Sequence, residues 1–226
     1  MLMRIEDIRI NVVRSNRKTV SIEVTPSGDV LVRAPEDVSI NSLKNFVSKH
    51  RTWIVSKLGK VRERKRYLGK RGFKNGVPFF FLGKSYPLKI VSSHLPLELR
   101  GGMFFLSSSY LQHARDIFIS WYKKVGLPYV VRRVEFFTGE IFRFKGVKIT
   151  RAEKRWGSCS RKNGLCFSYR VLMLPEEIID YVVVHEIAHI REKNHSKRFW
   201  DLVESLLPDF RERDRWLKVN GWKFVL

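Results

Sequence analysis

Residues 185–195 read His185-Glu186-Ile187-Ala188-His189-Ile190-Arg191-Glu192-Lys193-Asn194-His195. On an α-helix, positions i and i+4 lie on one face, one turn apart. His185 and His189 can therefore offer two imidazoles to one metal ion. Glu186 sits beside them, where a carboxylate can take a proton from a water that the metal activates. Two histidines leave zinc short of ligands. His195, six residues on, supplies a third and leaves one coordination position open. With only 6 histidines in 226 residues, chance gives H-E-x-x-H about once in a hundred such chains. Histidines that are merely buried and hydrogen-bonded are the weaker reading.

The flanks supply the context this chemistry needs. Pro175 suits a first helical turn, and Glu176, Glu177 and Asp180 bring negative charge to the helix N-terminus. Ile178, Ile179, Tyr181, Val182, Val183 and Val184 are apolar nearly all round, which implies a buried helix. The helix is expected to end near Lys193 or Asn194, with Asn194 as a left-handed cap that swings His195 back. Ser196 then caps a second helix, in which Phe199, Trp200, Val203, Leu206 and Leu207 form a core face and Pro208 stops the run. Glu204 on that helix is a rival third ligand, placed behind His195.

Upstream, Val147 to Ser160 and Leu165 to Leu174 are two extended runs joined by Asn163-Gly164, a strong hairpin signal. Gly157-Ser158-Cys159 suggests a bulge or a close backbone approach. A strand beside such a helix can take an extended peptide by strand addition. Arg155, Tyr169 and Arg170 are candidates for touching substrate or an oxyanion. A structural ion pair or a packed ring is the commoner role for each.

Three stretches together resemble one family: Arg155-Trp156-Gly157-Ser158-Cys159-Ser160, Tyr181-Val182-Val183-Val184-His185-Glu186-Ile187-Ala188-His189, and Asn194-His195-Ser196-Lys197-Arg198-Phe199-Trp200. They look like the YgjP-like metallopeptidases, a family related to the SprT and WLM zincins. The resemblance extends more weakly through Arg17-Lys18-Thr19-Val20, Val32-Arg33-Ala34-Pro35, His50-Arg51-Thr52-Trp53-Ile54 and Leu82-Gly83-Lys84-Ser85-Tyr86-Pro87. It implies zinc held by His185, His189 and His195, with Glu186 as general base. The histidine spacing also matches the metzincins, but Glu192 stands where those have glycine.

Composition sets outer bounds. With 44% hydrophobic residues the chain can bury a sizeable core. No apolar run approaches the length of a membrane span, and Met1 to Asp7 lacks a signal-peptide core. The two cysteines, Cys159 and Cys166, lie on the hairpin. Pairing Lys162 with Leu165 across the turn would set Cys159 opposite Ser168, so reduced thiols and a cytoplasmic setting are expected.

The balance of 44 Lys and Arg against 22 Asp and Glu leaves a net charge of +22. From Lys57 to Lys74, Lys57, Lys60, Arg62, Arg64, Lys65, Arg66, Lys70, Arg71 and Lys74 face only Glu63, so the local net is 9 − 1 = +8. Such a run is either a footprint for nucleic acid or a solvated helix end and linker.

Along the chain, short strands are expected at Ile8 to Val13, Thr19 to Val24 and Val30 to Arg33. A helix running from Ser39 through Val61 and a basic loop from Lys70 to Lys74 come next. Strands return at Val77 to Leu82, Tyr86 to Val91, Leu97 to Leu99 and Met103 to Leu106. Tyr110 to Val125 and Tyr129 to Phe144 read as two helices separated by Gly126-Leu127-Pro128. The expected architecture is α+β: a β-rich part over residues 1–108, then a zincin-like catalytic domain over 109–226 with its helix beside a β-hairpin. The expected function is zinc-dependent hydrolysis of a peptide bond in a protein or peptide substrate. The alternatives are a nucleic-acid-binding module with structural zinc, a DNA-associated protease, and a hydrolase of a non-peptide amide.

Overall fold

The structure, a computed structural model, describes residues 2–5, 8–69 and 72–226. Lys70 and Arg71, part of the expected basic loop, lie outside the described residues. The chain divides into two units, Met1–Lys70 and Arg71–Leu226.

In the first unit, β1 (Leu2–Ile5), β2 (Ile8–Arg14), β3 (Ser21–Val24) and β4 (Val30–Ala34) form a sheet in the order β1-β2-β4-β3. β2 and β4 run parallel, and the other two pairings are antiparallel. Alternation along the strands puts Ile8, Ile10, Val12, Val30, Val32 and Ala34 on one face. That face packs on Leu43 and Val47 of α1 (Ile40–Lys49) and Ile54 of α2 (Arg51–Gly69). Ser39 caps α1, its hydroxyl accepting from the Ser42 amide at 3.1 Å. The expected single helix is interrupted at His50, whose backbone (φ −102°, ψ 10°) leaves the helical region. The His50 ring lies 2.8 Å from the Phe46 carbonyl.

In the second unit, β5 (Pro78–Phe81), β6 (Lys84–Val91), β7 (Leu97–Arg100) and β8 (Met103–Ser107) form a sheet in the order β5-β6-β8-β7. The sequence suggests a boundary near 106–109. The structure instead places this sheet with the residues that follow it. Phe79, Leu88, Phe104 and Leu106 belong to one buried core with Phe118, Tyr122, Ile179 and Val183.

Residues 110–144, expected as two helices, hold one α-helix, α3 (Ala114–Thr138), with Pro128 inside it, preceded by a 3-10 turn over Ser108–His113. Gly126 marks a contact and not a turn. A Cβ there would come within 2.4 Å of Leu172 Cγ, so glycine leaves the room that the Leu172 side chain fills against the helix.

A three-stranded sheet follows, β10-β11-β9, from β9 (Gly146–Thr150), β10 (Gly157–Cys159) and β11 (Gly164–Ser168). The hairpin is there, with a different register. Asn163 donates its amide to the Ser160 carbonyl at 3.0 Å and takes φ 58°, and Ser160 donates to Gly164 at 2.9 Å. This is a three-residue loop with a left-handed third residue. It sets Ser158 opposite Cys166 and Cys159 opposite Leu165. Both cysteines are free.

The chain closes with α4 (Glu176–Arg191), α5 (Lys197–Leu206) and α6 (Phe210–Asn220). Gly83, at φ 76° in the β5–β6 turn, lies against the start of α4, where a Cβ would meet Pro175 Cα at 2.8 Å. Arg133 of α3 grips Asp180 of α4 with two bonds, Nε to Oδ1 at 2.6 Å and Nη2 to Oδ2 at 2.7 Å. Among the described residues, no helix is long and apolar enough to cross a membrane.

Candidate active site

α4 is buried along most of its length. Ile178, Ile179, Val182, Val183, Val184, Ile187 and Ala188 are all in the core. Its one buried charged side chain is Glu186, 6% exposed. The helix stops at Arg191, two to three residues earlier than the sequence suggests, with Glu192 extended and its amide on the Ala188 carbonyl. Asn194 does not take the left-handed cap. Its side-chain oxygen accepts from the Ser196 amide at 3.3 Å, and Ser196 heads α5 without a side-chain capping bond. The reversal is held by Lys193, whose ammonium donates to Asn163 Oδ1 at 2.7 Å and to the Ser160 carbonyl at 3.3 Å. That reversal returns His195 to the helix.

The imidazoles of His185, His189 and His195 converge, with one ligand atom from each lying within 4.8 Å of the others. Nε2 of His195 and Nε2 of His185 are 3.1 Å apart. Two basic nitrogens this close need a shared proton or a cation between them. His189 places Nδ1 2.9 Å from the Glu192 carbonyl, which fixes that nitrogen as donor and leaves Nε2 with its lone pair. Burial, reinforced by the neighbouring imidazoles, pushes His185 down to about 4, and burial lowers His189 as well. Neutral imidazoles with free lone pairs are what a metal ion requires, so the residues fit such a group. Phe199 backs all three rings, with centroid distances of 5.0, 4.5 and 4.7 Å to His185, His189 and His195. Trp200 stacks on His195.

Glu186 lies beside this cluster, facing β10. Burial pushes its carboxyl up to about 8, with Arg155 opposing, and Oε2 is buried without a partner. Gly157 makes this position possible, since a Cβ there would stand 2.6 Å from Glu186 Cγ and Oε1. The Gly157 signal is therefore a close approach and not a bulge.

Two depressions meet at Gly157, His185 and Glu186. One, of about 350 Å³, is walled by Trp156, Tyr181, Val182 and Leu217, with Arg155, Asp214 and Lys218 also lining it. The other lies over the histidines and is lined by Ser158, Cys159 and Lys193. β10 forms an edge of its sheet along both.

Of the three further candidates, Arg155 is at the cleft and the other two are not. Arg170 is buried, donating to the Phe224 carbonyl at 2.7 Å and the Gly221 carbonyl at 3.3 Å, with its guanidinium over the Trp156 ring. Tyr169 is fully buried in the core. Glu204 is exposed and paired with Arg211 at 3.5 Å, apart from the histidine cluster. The sequence presents Phe199, Trp200 and Tyr181 only as core and Lys193 only as a helix end, and it gives Asp214 no role. Tyr181 donates to Asp214 at 3.0 Å at the cleft wall. Its place one turn before His185 was the available signal.

A family model described as YgjP-like, metallopeptidase domain, matches residues 18–220. No curated protein matches the chain. Among solved structures, the zymogen of the metallopeptidase abylysin from Pyrococcus abyssi is 24% identical, covering 41% of this chain and 93% of its own, with a TM-score of 0.35. At that TM-score the likeness carries no argument about fold or function.

Proposed function

We propose that this chain, which belongs to the YgjP-like metallopeptidase family, cleaves peptide bonds with zinc held by His185, His189 and His195 and with Glu186 as general base. The observation that carries the reading is the convergence of three imidazoles beside a buried carboxylate whose Oε2 has no partner. When bound, zinc polarises the scissile carbonyl and makes a water nucleophilic near neutral pH.

The chain's own groups do the rest. His189 holds its tautomer through the Glu192 carbonyl. Glu186 accepts the water's proton at a carboxylate oxygen and passes it to the leaving amine. Burial holds the Glu186 carboxyl at about 8 even with Arg155 opposing, and a metal ion held by the three histidines would bring it down and favour the ionised form for the first step. The edge of β10 offers backbone groups to an extended peptide. Arg155, exposed at the mouth of the cleft, is the cation best placed to meet a developing negative charge or a substrate carboxylate. The free thiols of Cys159 and Cys166 fit a reducing, cytoplasmic setting. The reading does not depend on the basic segment from Lys57 to Lys74.

Metal analysis with a cleavage assay tests it. Purified chain should hold about one zinc. Chelation should abolish cleavage of an unfolded protein, and zinc should restore it. His195→Ala should lose metal affinity and Glu204→Ala should keep it. Full zinc affinity in His195→Ala with loss in Glu204→Ala would overturn the ligand set.

A further inference from the structure

Helix α2 of the first unit carries a row of cations that no carboxylate answers among the described residues. Trp53, Lys57, Lys60 and Arg64 follow one another at steps of four, three and four residues, which places them on one flank of the helix. Ile54 and Leu58 face the sheet, Ile54 in the core and Leu58 packed against it. The row therefore stands on the solvent side. All four side chains are exposed, the Trp53 indole at 43%. Lys57 Nζ lies 5.7 Å from the Trp53 ring centroid. Among the described residues, none of Lys57, Lys60 and Arg64 is in an ion pair. The helix as a whole contains seven basic residues and one acidic residue, Glu63, a net of 7 − 1 = +6. From Lys57 to Arg64 the row spans about 10 Å at 1.5 Å per residue.

A row of unpaired cations with an exposed indole at one end matches the way single strands are held: cations follow the phosphates and an aromatic face stacks on a base. Bases offer that face only when they are unpaired. A lipid surface fits less well. The apolar side of α2 is already buried in the core, so no continuous apolar face is left to enter a membrane interface. We propose that this flank of α2 binds single-stranded nucleic acid, with Lys57, Lys60 and Arg64 on the phosphates and Trp53 on a base. The claim rests on the first unit alone and stands apart from the peptidase reading.

The test uses the full chain and a fluorescent oligothymidine of about 20 nucleotides, longer than the ~4–16-nucleotide sites of single-strand binders. Affinity is read by anisotropy across a salt series. Lys57→Gln, Lys60→Gln and Arg64→Gln together should reduce the magnitude of the slope of log affinity on log salt by about 2, from ~0.7 per phosphate contact. Trp53→Ala should weaken binding at least about fivefold and leave the slope unchanged. The control is Lys124→Gln, Arg132→Gln and Lys148→Gln together, three exposed cations of the second unit. It carries the same net charge, 22 − 3 = +19, and should bind as wild type does. Equal loss in the two triple variants would overturn the proposal, because net charge alone would then account for binding. Duplex binding as tight as single-strand binding, with Trp53→Ala neutral, would overturn it too. So would capture by phosphatidylserine vesicles with no binding of the oligonucleotide.

Discussion

Gly157 is the position where one added methyl group bears most directly on the cleft. Its backbone φ is not left-handed, so alanine there carries no strain of its own; the cost is collision with Glu186 at 2.6 Å. Gly157→Ala should leave metal content and fold intact while displacing the carboxylate. A misplacement of about 1 Å in a catalytic group can cost ~100-fold. Turnover, metal content and circular dichroism measured together decide it, and unchanged turnover would show that Glu186 can give way without consequence. At this scale the sequence is informative where chemistry is local. His185, Glu186 and His189 share one helical turn, and His195 follows within the same eleven residues, so spacing alone brings them into view. Arg170 and Tyr169 are different. Their partners, Phe224, Gly221 and the aromatic core, are remote in sequence, and no local pattern tells a buried guanidinium on carbonyls from one that meets substrate. The same distance hides Asp214 beside Tyr181 and Asn163 beneath Lys193.

At the scale of elements, α4 is held in place by its neighbours more than by its own propensity. The Arg133–Asp180 pair joins α3 to α4 with two short bonds from side chains 29% and 15% exposed, and the guanidinium also covers Phe136 and Phe137. Hydrogen bonds to a charged group contribute roughly 2 kcal/mol. Asp180→Ala should therefore lower the melting temperature by about 4–8 °C in a domain of this size. His185 and His189 lie about one and a half and two and a half turns further along α4, and the histidine cluster should keep its metal once folded. A variant that melts with wild type would mean that the clamp is incidental. Element types were largely legible, since period-2 alternation marks β2 and part of β6, short apolar runs between turn residues mark β4 and β8, and the longer apolar run marks α4. Junctions were not. Gly126-Leu127-Pro128 has turn composition, yet Leu172 needs the space of a missing side chain, so tertiary contact decides for one helix. Asn163-Gly164 signals a hairpin correctly. The register depends on which of the two residues takes the left-handed conformation, and Asn163 does. β1 has too short a run to be seen before its pairing with β2 is known.

At the scale of the whole molecule, the division between Lys70 and Arg71 separates a small sheet-and-helix unit from the unit that carries the cleft. The sequence boundary near 106–109 followed the change from strands to helices. The physical boundary follows burial: the β5–β8 sheet shares its core with α3 and α4 and so cannot be parted from them. The strong net charge is legible at once, but the flank of α2 that presents it is visible only when the helix is set on its sheet. The central claim, that this chain is a hydrolase whose base is Glu186, is tested most directly by comparing wild type with Glu186→Gln on unfolded protein substrates at matched metal content. Glutamine keeps the shape and cannot take the water's proton. Glu186→Gln should retain zinc and fold and lose ~10²–10⁴-fold in cleavage rate. Equal cleavage by the two proteins would contradict the account.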